Sequence, residues 1–114
     1  ALRIREAFFD EEVDIAVPDL VFYELANVMR YDDGFTVEMV NEAIESLREM
    51  DFQIVAPYSD FMDSMVENAS ELDLTVYDSA FYTLAEISGG KLVTVDGELH
   101  DKTGNSVLLE ELDL

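Results

Sequence analysis

Four short runs of strand-forming residues alternate with helix-length amphipathic segments, and this alternation constrains the fold more than any other feature of the chain. The runs are VDIAVP (13–18), DFQIVAP (51–57), KLVTV (91–95), which reads as a strongly buried strand, and SVLLEEL (106–112). Strands separated by helical patterns indicate a parallel sheet, because a chain returning parallel to itself needs a crossover that is usually a helix. Helical spacing covers 1–10, with Leu2, Ile4, Ala7 and Phe8 in phase, then 20–31, 36–50, 59–72 and 75–88. A short helix or turn fits 97–103. Local chemistry marks the boundaries. Asp19, Thr36, Ser59 and Thr75 are predicted N-caps, YDDG a turn, and Gly89-Gly90 a helix end. The pattern predicts an α/β three-layer sandwich with a mainly parallel central sheet, formed by one domain over 1–114.

Composition removes several function classes. The chain has no cysteine and one histidine, His100, so thiolate zinc sites and histidine-based metal sites are excluded. No apolar run is long enough to cross a bilayer, and no basic-then-apolar leader precedes the domain. A cytoplasmic protein is expected. Six Lys+Arg against 27 Asp+Glu give a formal net charge of -21. That balance opposes long-range attraction of nucleic acid. Two explanations compete: a solvated acidic surface suited to very salty cytoplasm, or a surface built for a basic partner or metal ions. The first accounts for most of the acids, but not for those placed on apolar faces.

Three acids stand out by position. In parallel sheets, sites gather at the carboxyl ends of strands. Glu24 lies in VPDLVFYELANVMR (17–30), on the helix after the first run, with Leu20, Val21, Asn27 and Val28 at helical spacing from it. A glutamate is rarely buried without a partner. The expected place for Glu24 is a buried or cleft-lining face; the bland reading is a helix edge with the carboxylate in water. Asp78 falls three residues after Thr75, so T-x-x-D also reads as a capping box. Asp96 directly follows KLVTV, with Thr94 on its side of the strand; Asp96-Gly97 alone would be an ordinary turn.

Taken together, VPDLVFYELANVMR and LTVYDSAFYTLAEISGGKLVTVD resemble the PIN-domain family, in particular toxin ribonucleases of the VapC type. Glu24, Asp78 and Asp96 each fall on an acidic position of that pattern. The family's other acid sits in a D-x-S/N-x-x-I/V segment on a first, central strand, and no such segment is present. The expectation is an N-terminal strand missing ahead of Ala1; the alternative is a chain that has lost this acid. In the first case the strands near 13–17 and 91–95 should flank an empty slot. The resemblance implies a metal-dependent endoribonuclease. Glu24, Asp78 and Asp96 would be the catalytic residues and ligands of Mg²⁺ or Mn²⁺, and Asn27 and Thr94 would orient them. It also implies an RNA substrate, an antitoxin partner covering the cleft, and a homodimer. The chemistry is consistent, since gathered carboxylates raise one another's pKa unless a cation joins them, and oxygen ligands suit hard ions.

Two other functions compete. One is a degenerate, non-catalytic PIN-like module that binds protein. The other is an acidic phosphoacceptor pocket, which is weaker because Lys91 precedes its strand rather than following it. SGGKLV (88–93) lacks the spacing of a phosphate loop. Phe8, Phe9, Phe22, Phe61, Met62, Met65 and Phe81 read as core or interface. His100 reads as a surface residue, and Arg3 and Arg5 as balancing local acids rather than contacting RNA.

Overall fold

All strand pairing in the computed structural model is parallel. The structure describes residues 2–112, with side chains from residue 6 onward, and the readings for Leu2, Arg3, Ile4 and Arg5 lie outside the described side chains. Strand β1 (Ala16–Pro18) pairs with β2 (Gln53–Val55), Val17 opposite Ile54. Strand β3 (Leu92–Thr94) pairs with β4 (Ser106–Leu108), Val93 opposite Val107. The α/β class and the parallel sense follow the sequence pattern. The single continuous sheet does not form: the strands are split into two pairs. Between them runs a groove of about 650 Å³, lined by both β1 and β3 and floored by a helix. The slot expected from the resemblance is therefore present between these two strands.

The helices are α1 (Leu2–Phe9), α2 (Leu20–Arg30), α3 (Val37–Glu49), α4 (Ser59–Leu72), α5 (Val76–Ser88) and α6 (Gly97–Lys102). A 3-10 turn at Leu109–Glu111 replaces the end of the fourth predicted strand. Thr36 and Thr75 cap as predicted, their hydroxyls accepting from the Met39 and Asp78 amides. Gly89 closes α5 with φ 73°, which a residue lacking Cβ adopts without strain. Two predicted caps are corrected. Asp19 makes no capping bond, its backbone being already helical (φ -60°, ψ -19°). Ser59 has φ 51° and begins α4 rather than preceding it; the cap position belongs to Tyr58. Among the described residues, no helix is long and apolar enough to cross a membrane.

The core is built mainly on α5. Phe61 and Met65 of α4 pack on Ala80 and Leu84 of α5, with Ala16, Leu20 and Val55 closing over them. Farther along α5, Ala85 meets Leu92 and Leu99, joining β3 and α6 to the same helix. Among these, a Phe, Met or Leu side chain, fully buried, contributes about 1.5–3 kcal/mol. Ser79 and Thr83, one turn apart on α5, are completely buried. Ser79 Oγ donates to the Met65 carbonyl at 2.7 Å. Asn68 Nδ2 donates to Thr83 Oγ1 at 3.0 Å and to Glu86 Oε1 at 2.8 Å, so α4 and α5 are also joined by polar contacts. Of the residues read as core or interface, Phe61 and Met65 are buried in the core, and Phe9 and Met62 are exposed. KLVTV is not a buried strand throughout. Leu92 is buried, whereas Val93 opens toward the groove at 37% exposure and Val95 is 81% exposed.

Candidate active site

Each candidate acid is placed by a different element. Glu24 is in the middle of α2, which starts immediately after β1. Its side chain is exposed, as are those of Asn27 and Val28 on the same side of the helix. The face expected to be buried is therefore open, because nothing in the described structure packs over it, and the helix-edge placement is the one observed. Even so, the Glu24 carboxyl titrates above its ordinary value, first through partial desolvation and then through repulsion from Asp78. Asp78 is half-buried in the first turn of α5, so tertiary packing brings together two acids distant in sequence. Among the described residues, no lysine or arginine forms an ion pair with either acid. Arg48 pairs with Glu45, and Lys102 reaches Asp73 and Glu98.

Asp96 ends the β3 segment and serves as N-cap of α6. Its Oδ1 accepts from the Glu98 amide at 2.9 Å and the Leu99 amide at 3.2 Å. Thr94 Oγ1 accepts from the Asp96 amide at 3.0 Å, which fixes the turn between strand and helix. Thr94 thus positions the Asp96 backbone. Asn27 lies near Glu24 in sequence, but its side chain makes no hydrogen bond among the described residues.

The three acids are not drawn into one tight cluster. Glu24 and Asp78 interact, while among the described residues no three carboxylate or imidazole side chains stand close enough to hold one metal ion. The chemistry of the Glu24–Asp78 pair nevertheless suits a hard cation: two carboxylates repel each other, and among the described residues no basic side chain pairs with either.

Sequence reasoning missed a polar cluster behind Asp96. His100 is half-buried rather than on the surface, and its Nδ1 lies 2.7 Å from Ser106 Oγ. Thr103 Oγ1 donates to the Leu99 carbonyl at 2.9 Å and stands 2.9 Å from Ser106 Oγ. The cluster ties α6 to β4. The small polar residues after His100 were its only signal in the sequence, and they read equally well as a turn.

The fold and the acids define an α/β protein of parallel strands with a carboxylate pair at the starts and faces of helices α2 and α5. Within that class the chain belongs to the PIN domain family, whose pattern residues 2–105 match. It is 32% identical to Ribonuclease VapC3 of Pyrobaculum aerophilum, over 74% of this chain and 67% of that protein. It also superposes on the crystal structure of PAE2754 from Pyrobaculum aerophilum with a TM-score of 0.65 and 29% identity. That match covers 83% of this chain and 70% of the other. These likenesses support a nuclease of the VapC type.

Proposed function

We propose that the protein is a metal-dependent endoribonuclease of a toxin–antitoxin pair, with Glu24, Asp78 and Asp96 as its site. The observation that carries this reading is the packing of α2 and α5 that brings Glu24 within electrostatic reach of Asp78 in a chain of the PIN domain family. Two carboxylates held near each other without a cation are costly unless they bind one. Mg²⁺ or Mn²⁺ would neutralise them, and when bound it supplies Lewis acidity and a water of lowered pKa for attack on a phosphodiester. The chain's own residues set the frame. The cap Thr75 anchors the first turn of α5 and with it Asp78, α2 carries Glu24, and Thr94 holds the turn bearing Asp96. Asn27 is a further candidate for orienting the substrate. The acidic surface repels RNA phosphates, so a bound metal would supply the attraction at the site. A basic antitoxin segment fits the same surface, and a homodimer and a cytoplasmic setting complete the proposal.

A second reading rests on a specific observation: the three acids do not gather into one metal-sized group among the described residues. It makes the chain a non-catalytic PIN-like module that binds protein. One experiment separates the two. Single-stranded RNA is incubated with wild type, Glu24→Gln and Asp78→Asn, with Mn²⁺ or with EDTA. Cleavage by wild type in Mn²⁺ alone, lost in both variants, is expected. Cleavage that persists in EDTA or in both variants would overturn the proposed site, and no cleavage by wild type would favour the binding module.

A further inference from the structure

One of the chain's few cations stands in an unexpected place. Among the described residues, Arg48 and Lys102 are paired with carboxylates, whereas Arg30 pairs with none. Its guanidinium lies instead over the Tyr31 ring, 5.6 Å from the centroid. Both residues are exposed, Tyr31 at 78%. Asp32, the next acid along, is engaged in the turn, its Oδ1 accepting from the Gly34 amide at 2.8 Å. A stacked guanidinium is already ordered and keeps its N–H edge free, which suits it to a phosphate. Tyr31 is the C-cap of α2 and follows Glu24 by seven residues. Seven residues are close to two helical turns, so Tyr31 falls on the Glu24 face, about 10 Å farther along the axis. Asn27 and Val28 lie between them on that face, both exposed. The open face thus runs from a candidate metal ligand, past an amide and an apolar side chain, to an aromatic ring that carries a cation.

We propose that Arg30 and Tyr31 are substrate-binding residues, a stacking platform for one nucleotide of single-stranded RNA that flanks the cleaved bond. An unpaired base stacks on the open side of the Tyr31 ring, and the Arg30 guanidinium takes an adjoining phosphate. This rests on the nuclease reading above and adds to it how so acidic a protein holds RNA. With 27 acids against 6 bases, a basic groove that tracks the phosphates is not available. Stacking needs no net charge, because every base presents a π-face, and one ordered arginine adds a phosphate contact where the bulk charge gives none. The two-turn offset from Glu24 sets the platform beside the reacting phosphate rather than on it, so its effect falls on binding and not on the chemical step. Duplex RNA keeps its bases stacked on one another and offers Tyr31 none, so the platform selects single strands.

The test compares wild type, Tyr31→Ala, Tyr31→Phe and Arg30→Gln, with melting temperatures to show that each folds. Affinity for a fluorescein-labelled single-stranded RNA, and for the duplex of the same sequence, is read by anisotropy in EDTA, over a series of monovalent salt concentrations high enough to screen the acids. Tyr31→Ala should weaken single-strand binding by about tenfold or more, Tyr31→Phe should bind as wild type does, and duplex binding should not respond. Arg30→Gln should weaken binding and reduce the slope of log affinity against log salt by about 0.7, the value of one phosphate contact on a single strand. Tyr31→Ala should leave that slope unchanged. Unaltered single-strand affinity in Tyr31→Ala or Arg30→Gln would overturn the proposal, as would equal losses on single strand and duplex, or no RNA binding by wild type. Variants that keep RNA affinity but lose self-association on size-exclusion chromatography would overturn it by assigning the face to a protein contact. Cleavage in Mn²⁺ is scored separately. Cleavage by wild type with an affinity indifferent to Tyr31 and Arg30 refutes the platform alone, and an affinity that depends on them without cleavage refutes the nuclease reading alone.

Discussion

Asp96 has two roles that can be measured separately. Its Oδ1 caps α6 through the Glu98 and Leu99 amides, and Leu99 is a buried member of the cluster with Ala85 and Leu92. Asp96→Ala removes the cap, at a cost of about 1 kcal/mol within a range of about 0.5–2. For a domain of this size that lowers the melting temperature by roughly 4–5 °C. Asp96→Asn keeps an oxygen able to accept the same two bonds, and asparagine caps about as well as aspartate, so its metal-free melting temperature should lie close to wild type. The loss of one negative charge at the helix start costs a few tenths of a kcal/mol. Relief of repulsion among 27 acids offsets it. In Mn²⁺ the ranking changes. A ligand that binds only the native state stabilises by about 2.7 kcal/mol at a hundred times its Kd, and either substitution should remove much of that gain. The assay is a melting series of the three proteins with Mn²⁺ titrated at fixed high monovalent salt, which screens the other acids equally. If Asp96→Ala melts with wild type in the absence of metal, the cap does not stabilise. If Asp96→Asn responds to Mn²⁺ as wild type does, Asp96 is not a ligand.

The raised pKa of Glu24 means that its charged form is disfavoured in the fold, so its penalty is present at neutral pH and disappears as pH falls below its ordinary value of 4.5. Glu24→Gln should therefore stabilise the metal-free protein at pH 7, with the gain fading on acidification; a difference that is constant with pH would refute this account. Asn68→Ala removes the two bonds that Asn68 makes to α5 and should cost about 1 kcal/mol in urea unfolding. An unchanged urea midpoint would show that the apolar contacts and the Ser79–Met65 bond hold this helix pair without Asn68. Monovalent salt should raise the wild-type melting temperature, since a net charge of -21 disfavours the compact state; a flat response would mean that the acids are already far enough apart to ignore one another.

Local chemistry determined the elements. Thr36 and Thr75 cap because a hydroxyl three residues ahead of an amide reaches it within a single turn, and Gly89 ends α5 because a left-handed residue is needed there. The order of strands and helices, and hence the parallel pairing, was legible for the same reason: periodicity is a property of neighbouring residues. The positions of the three candidate acids were legible through the quoted motifs. Their geometry was not. Only tertiary packing brings Glu24 within electrostatic reach of Asp78, leaves the α2 face around Asn27 and Val28 open, and binds His100 to Ser106. Asp19 and Ser59 failed as caps because a residue's own type does not determine the backbone angles that the surrounding chain imposes on it. The burial of KLVTV was misread at Val93 for a related reason. An apolar run records what a strand is suited to touch, whereas its exposure depends on whether another strand lies alongside, and β1 and β3 are kept apart by the groove between them.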